Sequence, residues 1–132
     1  MLSVIAICVG ACLGALARWQ LGLWLNPTSA EEGIFPWGTL AANLIGGYLI
    51  GLCMGIFQNM PQLDPELRLL CITGFLGALN TFSTFSAEVA GMLQQGRLLL
   101  ALGTASVHLI GSLVLTYFGL YTVKLISVSP IP

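Results

Sequence analysis

Charge is what this sequence has least of. Only four Lys or Arg and five Asp or Glu occur in 132 residues, 7 % of the chain, where a soluble domain carries roughly 25 %. That scarcity excludes an ordinary solvated surface. With no basic patch, it also excludes nucleic acid as a partner. Chemistry-bearing residues are few as well. There is one His, and Cys8, Cys12, Cys53 and Cys71 all fall in apolar stretches with no His or acidic residue beside them. They read as small buried apolar residues rather than metal ligands or disulfide partners. No catalytic constellation is present, so the chain is expected to be neither an enzyme nor the holder of an organic cofactor. The first segment lacks a positively charged start, which argues for a retained helix rather than a signal peptide.

What remains is hydrophobic, 57 % of the residues. Residues 1–17, 33–63, 69–87 and 98–123 carry no formal charge, and a membrane span needs about 20 mostly apolar residues. Helices are predicted at about 2–24, 37–58, 67–94 and 98–125. Pro27, Pro36, Pro61, Pro65 and Pro130 fall in the connections or the tail and support those limits. The expectation is an all-α integral membrane protein, one four-helix domain over 1–132.

In that topology the N-terminus, the loop at 59–66 and the C-terminus share one side. Arg68 and Lys124 lie nearer that side, Arg18 and Arg97 nearer the other. Orientation follows an excess of Lys and Arg, and here there is none. Insertion both ways up is therefore expected, which makes an antiparallel homodimer possible, its two-fold axis in the membrane plane.

Gly47, Gly51 and Gly55 recur at every fourth position, as do Gly10 and Gly14. Small residues at that spacing let helix backbones approach closely, within one bundle or additionally across a dimer. The last helix carries Thr104, His108, Ser112 and Thr116, again four apart. Four residues advance about 400°, so these form one polar seam, suited to lining a narrow wet path. Thr39 and Asn43 repeat it in the second helix. His108 reads either as a proton carrier or as a neutral hydrogen-bonding member of the seam. Glu88 is the acidic residue furthest inside a span, and intramembrane ionisable groups point to function. It is also near enough to a helix end to reach the interface. Arg18 reads as a snorkelling or entrance-guarding residue.

The third span is the unusual one. Gly74-Phe75-Leu76-Gly77-Ala78-Leu79-Asn80-Thr81-Phe82-Ser83-Thr84-Phe85-Ser86 puts glycines, an asparagine and hydroxyls where a simple span would hold leucine. Unpaired backbone is not tolerated in hydrocarbon, so an interruption near 77–81 is predicted to face protein, water or an ion. A break frees carbonyls, which suit a small hard cation such as sodium, and N–H groups, which suit an anion. Phe82 and Phe85 lie three apart on a helix starting near Thr81. They are either core packing or, edge-on, a weakly positive lining for a small anion. Ser83 and Ser86 add hydroxyl donors.

That run, continued through Ala87 to Glu88, closely resembles the signature of the Fluc (CrcB-type) fluoride channel family. The segments from Gly38 to Gly46 and Gly10 to Arg18, and the pair Gly111-Ser112, are similar to it too. The resemblance spans essentially the whole chain. It implies a passive fluoride-selective channel of the bacterial inner membrane that relieves fluoride toxicity. It further implies an antiparallel, dual-topology homodimer with two pores and a central structural sodium ion. By the same resemblance Gly77 and Asn80 would give carbonyls to sodium. Asn43, Phe82, Phe85, Ser83 and Ser86 would belong to the fluoride pore. Thr39, Glu88, Thr104, His108 and Ser112 would form a polar track, with Arg18 at an entrance. Asn80 stands where the family usually has Thr, and His108 where Ser or an amide is expected. The rival reading is a small dual-topology proton-coupled multidrug exporter, which wants a deep carboxylate early in the chain; no acidic residue precedes Glu31.

Overall fold

The computed structural model describes residues 1–26 and 35–128. Pro27, Pro130 and most of the connection at 25–36 lie outside the described residues. Helix α1 is Leu2–Leu25 and α2 is Trp37–Asn59. The third span divides in two. Its first half, α3 (65–79), comprises a turn at Pro65–Arg68, a π-helix at Leu69–Leu76 and a further turn at Gly77–Leu79. Its second half, α4, is Phe82–Gln94, and α5 is Leu98–Val128. Four helical stretches are long and apolar enough to cross a membrane: Leu2–Leu25, Trp37–Asn59, Pro65–Gln94 and Leu98–Ser127. At 1.5 Å per residue the shortest reaches about 34 Å, more than the roughly 30 Å of a hydrocarbon core.

The helices lie within two or three residues of their predicted limits. The exception with a cause is the start of the third. Pro65 is not part of a connection; it opens the helix at its first turn, where a missing N–H costs nothing. Asp64 caps that turn by accepting from the Glu66 N–H at 3.3 Å.

Both glycine seams work within the chain. Gly47, Gly51 and Gly55 face α5, where an added Cβ would run into Ser112, Thr116 and Val123. Gly10 and Gly14 face α3. A Cβ on either would collide with backbone at Leu70 or Phe75. The two pairs α2–α5 and α1–α3 thus pack backbone to backbone. A small core of Ala42, Leu76 and Leu79 joins them. Elsewhere the surface is apolar: Leu99, Trp24, Tyr117, Ile126 and Leu109 are all exposed. Cys8 and Cys12 are exposed too, which corrects the expectation of burial. They lie on the side of α1 away from the Gly10–Gly14 seam, and only that seam is buried.

The interruption is narrower than 77–81. Gly77 keeps helical angles, and only Asn80 (φ −71°, ψ 142°) and Thr81 (φ −142°, ψ 97°) are extended. The glycines upstream do not break the helix. Gly74 admits α1 at close range, and the wide π turn runs through it.

Candidate functional site

The break is held open by its neighbours. The Thr81 N–H donates to Asn43 Oδ1 at 2.8 Å. A backbone N–H can only donate, so this bond fixes which end of the Asn43 amide is oxygen. Asn43 Nδ2 then donates to His108 Nδ1 at 3.1 Å and, at 3.4 Å, to the Thr81 carbonyl. Thr81 is also the N-cap of α4, its Oγ1 accepting from the Thr84 N–H at 3.2 Å.

These bonds divert two donors. A continuous helix would return the Thr81 N–H to the Gly77 carbonyl and the Thr84 N–H to that of Asn80. Here the first serves Asn43 and the second serves the cap. The carbonyls of Gly77 and Asn80 therefore lose the partners helical geometry assigns them. Among the described residues no group of three His, Cys, Asp or Glu is arranged for a metal. Backbone oxygen of this kind is a donor type that suits hard monovalent cations in general.

Beside the break lies a cavity of about 330 Å³, lined in part by Asn43, Asn80, Thr81, Phe82, Phe85, His108 and Ser112. Among the described residues no Asp, Glu, Lys or Arg lines it. The Phe82 and Phe85 rings are 5.5 Å apart and inclined at 55°. Phe85 and His108 lie 4.7 Å apart at 30°. Phe82 is 79 % exposed on the single chain.

Arg18 lines a separate cavity of about 310 Å³ with Thr39, Thr81 and Thr84, and its Nη1 makes a long 3.5 Å bond to Thr84 Oγ1. Thr81 is a wall of both cavities. Thr39 donates to Glu88 Oε1 at 2.6 Å, and Glu88 lines a third cavity, about 280 Å³, with Gln95 and Arg97.

Asn43, Asn80, Phe82, Phe85, His108 and Ser112, singled out from sequence, therefore meet around one space. Other residues of that set stand apart. Ser83 is exposed, and neither Ser83 nor Ser86 lines the cavity. Thr104 is fully buried against Met92, its hydroxyl on Sδ at 3.5 Å. Thr39 and Glu88 bond each other, and Arg18 sits across Thr81.

Comparison with known proteins places the chain in a family. A family model described as CrcB-like protein, Camphor Resistance (CrcB), matches residues 5–120. The chain belongs to the CrcB family. It is 65 % identical over 122 residues to a protein of Albidiferax ferrireducens named "Fluoride-specific ion channel FluC", covering 92 % of this chain and 91 % of that one. Proteins of the same name from Paracidovorax citrulli (56 % identical, 91 % of this chain and 92 % of that one) and Variovorax paradoxus (55 %, 94 % and 96 %) are similar to it as well. The four apolar helices and this membership identify a multi-pass membrane protein.

Two parts of this CrcB site escaped the sequence reading. Thr81 is cap, donor and wall of two cavities in one, where the sequence marks it only as the edge of the interruption and the start of a helix. The spacing Thr81-Phe82-Ser83-Thr84, a hydroxyl at the N-cap of a run, carries that signal. Gly46 carries the other: a Cβ there would overlap the Asn80 side chain, so the asparagine depends on that glycine.

Proposed function

We propose that the chain is a passive, fluoride-selective channel that lets fluoride leave the cytoplasm across a bacterial inner membrane. The observation that carries this is the neutral cavity. Its polar groups are two amides, an imidazole and hydroxyls, set among phenyl rings, with no charged side chain in the wall among the described residues. A fixed cation would hold a small anion too tightly to release it, and conduction needs sites that also let go. The phenyl edges of Phe82 and Phe85 are weakly positive. Asn43 meets the ion by trading its long 3.4 Å bond to the Thr81 carbonyl. That carbonyl keeps the Phe85 N–H as a donor.

Arg18 draws anions to the adjoining cavity and stops short of the pore, because Thr81 lies between. The track of Thr39, Glu88, Thr104, His108 and Ser112 continues the path, with Ser83 and Ser86 toward its exposed side. A cell interior negative by 100 mV favours exit of one anion by about 2.3 kcal/mol.

The working unit in this reading is an antiparallel homodimer with two pores. The even Lys and Arg tally and the exposed Phe82 support it. A sodium ion at its centre would bind the Gly77 and Asn80 carbonyls, and the diverted N–H groups are the support for that. The ion would supply fixed positive charge where two breaks meet. Asn80 fits the role despite its unusual side chain, because the ligand is its backbone.

The exporter alternative finds no support, since that chemistry wants a deep carboxylate early in the chain and no acidic residue precedes Glu31. Reconstitution decides the matter. Liposomes loaded with fluoride should empty when a potassium ionophore sets the potential, and chloride-loaded liposomes should not. Electroneutral exchange of an organic cation for protons, or equal chloride flux, would refute the channel.

A further inference from the structure

The polar seam on α5 has spent nearly all of its donors. A hydroxyl has one hydrogen to give. Thr104 gives its to Met92 Sδ, Ser112 to the Asn43 carbonyl at 3.5 Å, and Thr116 to the Gly47 and Ser112 carbonyls at 2.9 and 2.8 Å. On α2, Thr39 gives its hydrogen to Glu88. Of these, Ser112 and Thr116 line the cavity, and their hydrogens are already given to backbone carbonyls.

His108 differs. Its Nδ1 faces Asn43 Nδ2, which can only donate, and the orientation of that amide is fixed by the Thr81 N–H. Nδ1 must therefore present its lone pair, and the proton of the neutral ring sits on Nε2. That Nε2 is buried without a hydrogen-bond partner, on a side chain only 4 % exposed that lines the cavity. Buried donors are normally satisfied, so an orphan beside a cavity marks a place for an acceptor.

We infer that His108 Nε2–H is a second N–H donor to the small anion beside Asn43 and Phe85, and that Asn43 selects the tautomer that makes it one. The inference rests on the fluoride reading. It gives Asn43 a second task, orienting a donor besides being one. It also explains how a ring can stand in a track whose other members are hydroxyls and the Glu88 carboxyl: acceptor on one nitrogen, donor on the other, no net charge.

The chain has a single histidine, so ¹⁵N-histidine labelling of the full chain in lipid nanodiscs gives one pair of ring signals. The expected spectrum shows hydrogen on Nε2 and none on Nδ1. Fluoride should shift the Nε2–H signal, and chloride at the same concentration should leave it in place. An Nδ1–H tautomer, or a signal indifferent to fluoride, overturns the inference. Flux supplies the second arm. His108→Leu removes donor and acceptor together and should slow fluoride by ~10-fold or more, the scale of losing one hydrogen bond to a charge. His108→Gln keeps one of each and should recover most of that loss. Equal flux in the two variants overturns the donor role. If the unaltered chain conducts fluoride and the ring does not respond, only this inference fails. If it does not conduct at all, the channel reading fails and takes the inference with it.

Discussion

At the scale of single residues, the proposed channel depends on atoms that attract an anion without binding it hard. Phe82 is the sharpest case. Phe82→Ile keeps the bulk and removes the ring edge, so fluoride flux should vanish while the variant still elutes at the size of the parent. Parental flux in that variant would refute the aromatic role. Asn43→Asp is nearly isosteric, yet it loses both hydrogens that reach Thr81 and His108 and brings a negative charge to the cavity wall. Flux in reconstituted vesicles should fall below detection at pH 7. Residue types were legible in the sequence here: Asn43, Phe82, Phe85 and His108 stood out as polar or aromatic groups in apolar spans. Hydrogen-bond direction was not. Periodicity places Thr104 and Thr116 on one face with His108, but cannot tell that their hydrogens are already committed to Met92 and to backbone.

At the scale of the element, the third span is a helix whose break depends on its cap. Thr81→Val should cost about 1 kcal/mol, the usual loss for an N-cap hydroxyl. It also releases the Thr84 N–H to the Asn80 carbonyl, closing one of the two oxygens offered to a cation. Thermal unfolding in sodium and in a bulky organic cation should then differ less than in the parent; an undiminished sodium effect would detach the cap from the cation site. Gly14 tests the packing behind it. Gly14→Val drives a side chain into the Phe75 carbonyl, and overpacking of this kind costs about 1–3 kcal/mol, read as a lower unfolding midpoint. The sequence announced an interruption through Gly74, Gly77, Asn80 and Thr81 but placed it over too many residues. Glycine weakens a helix and also lets another backbone come close. Only the partner, α1 in this case, decides which meaning applies at Gly74.

At the scale of the whole molecule, the charge balance is the lever. Two added lysines in the loop at 59–66 and its flank, Gln58→Lys with Gln62→Lys, tip the tally toward one orientation. Reporters fused to the C-terminus should mark both sides of the membrane for the parent and one side for the variant. Flux should fall with the loss of oppositely inserted partners. A parent that reports from one side only would defeat the antiparallel dimer. Four spans, their order and their approximate ends were readable from charge-free stretches, because hydrocarbon leaves few alternatives. Which helices pair was not readable, since Gly47-Gly51-Gly55 and Gly10-Gly14 have the same spacing. The structure assigns the first to α5 and the second to α3.

The amide of Asn43 takes up both the N–H and, at longer range, the carbonyl of Thr81. In effect it is a detached peptide unit, lent by one helix to splint a gap in another. The splint and the cavity wall are the same group of atoms. A sliding of α2 along the third span would therefore withdraw the wall and let the gap heal in one movement. In the channel reading, the open break and the cavity wall stand or fall together.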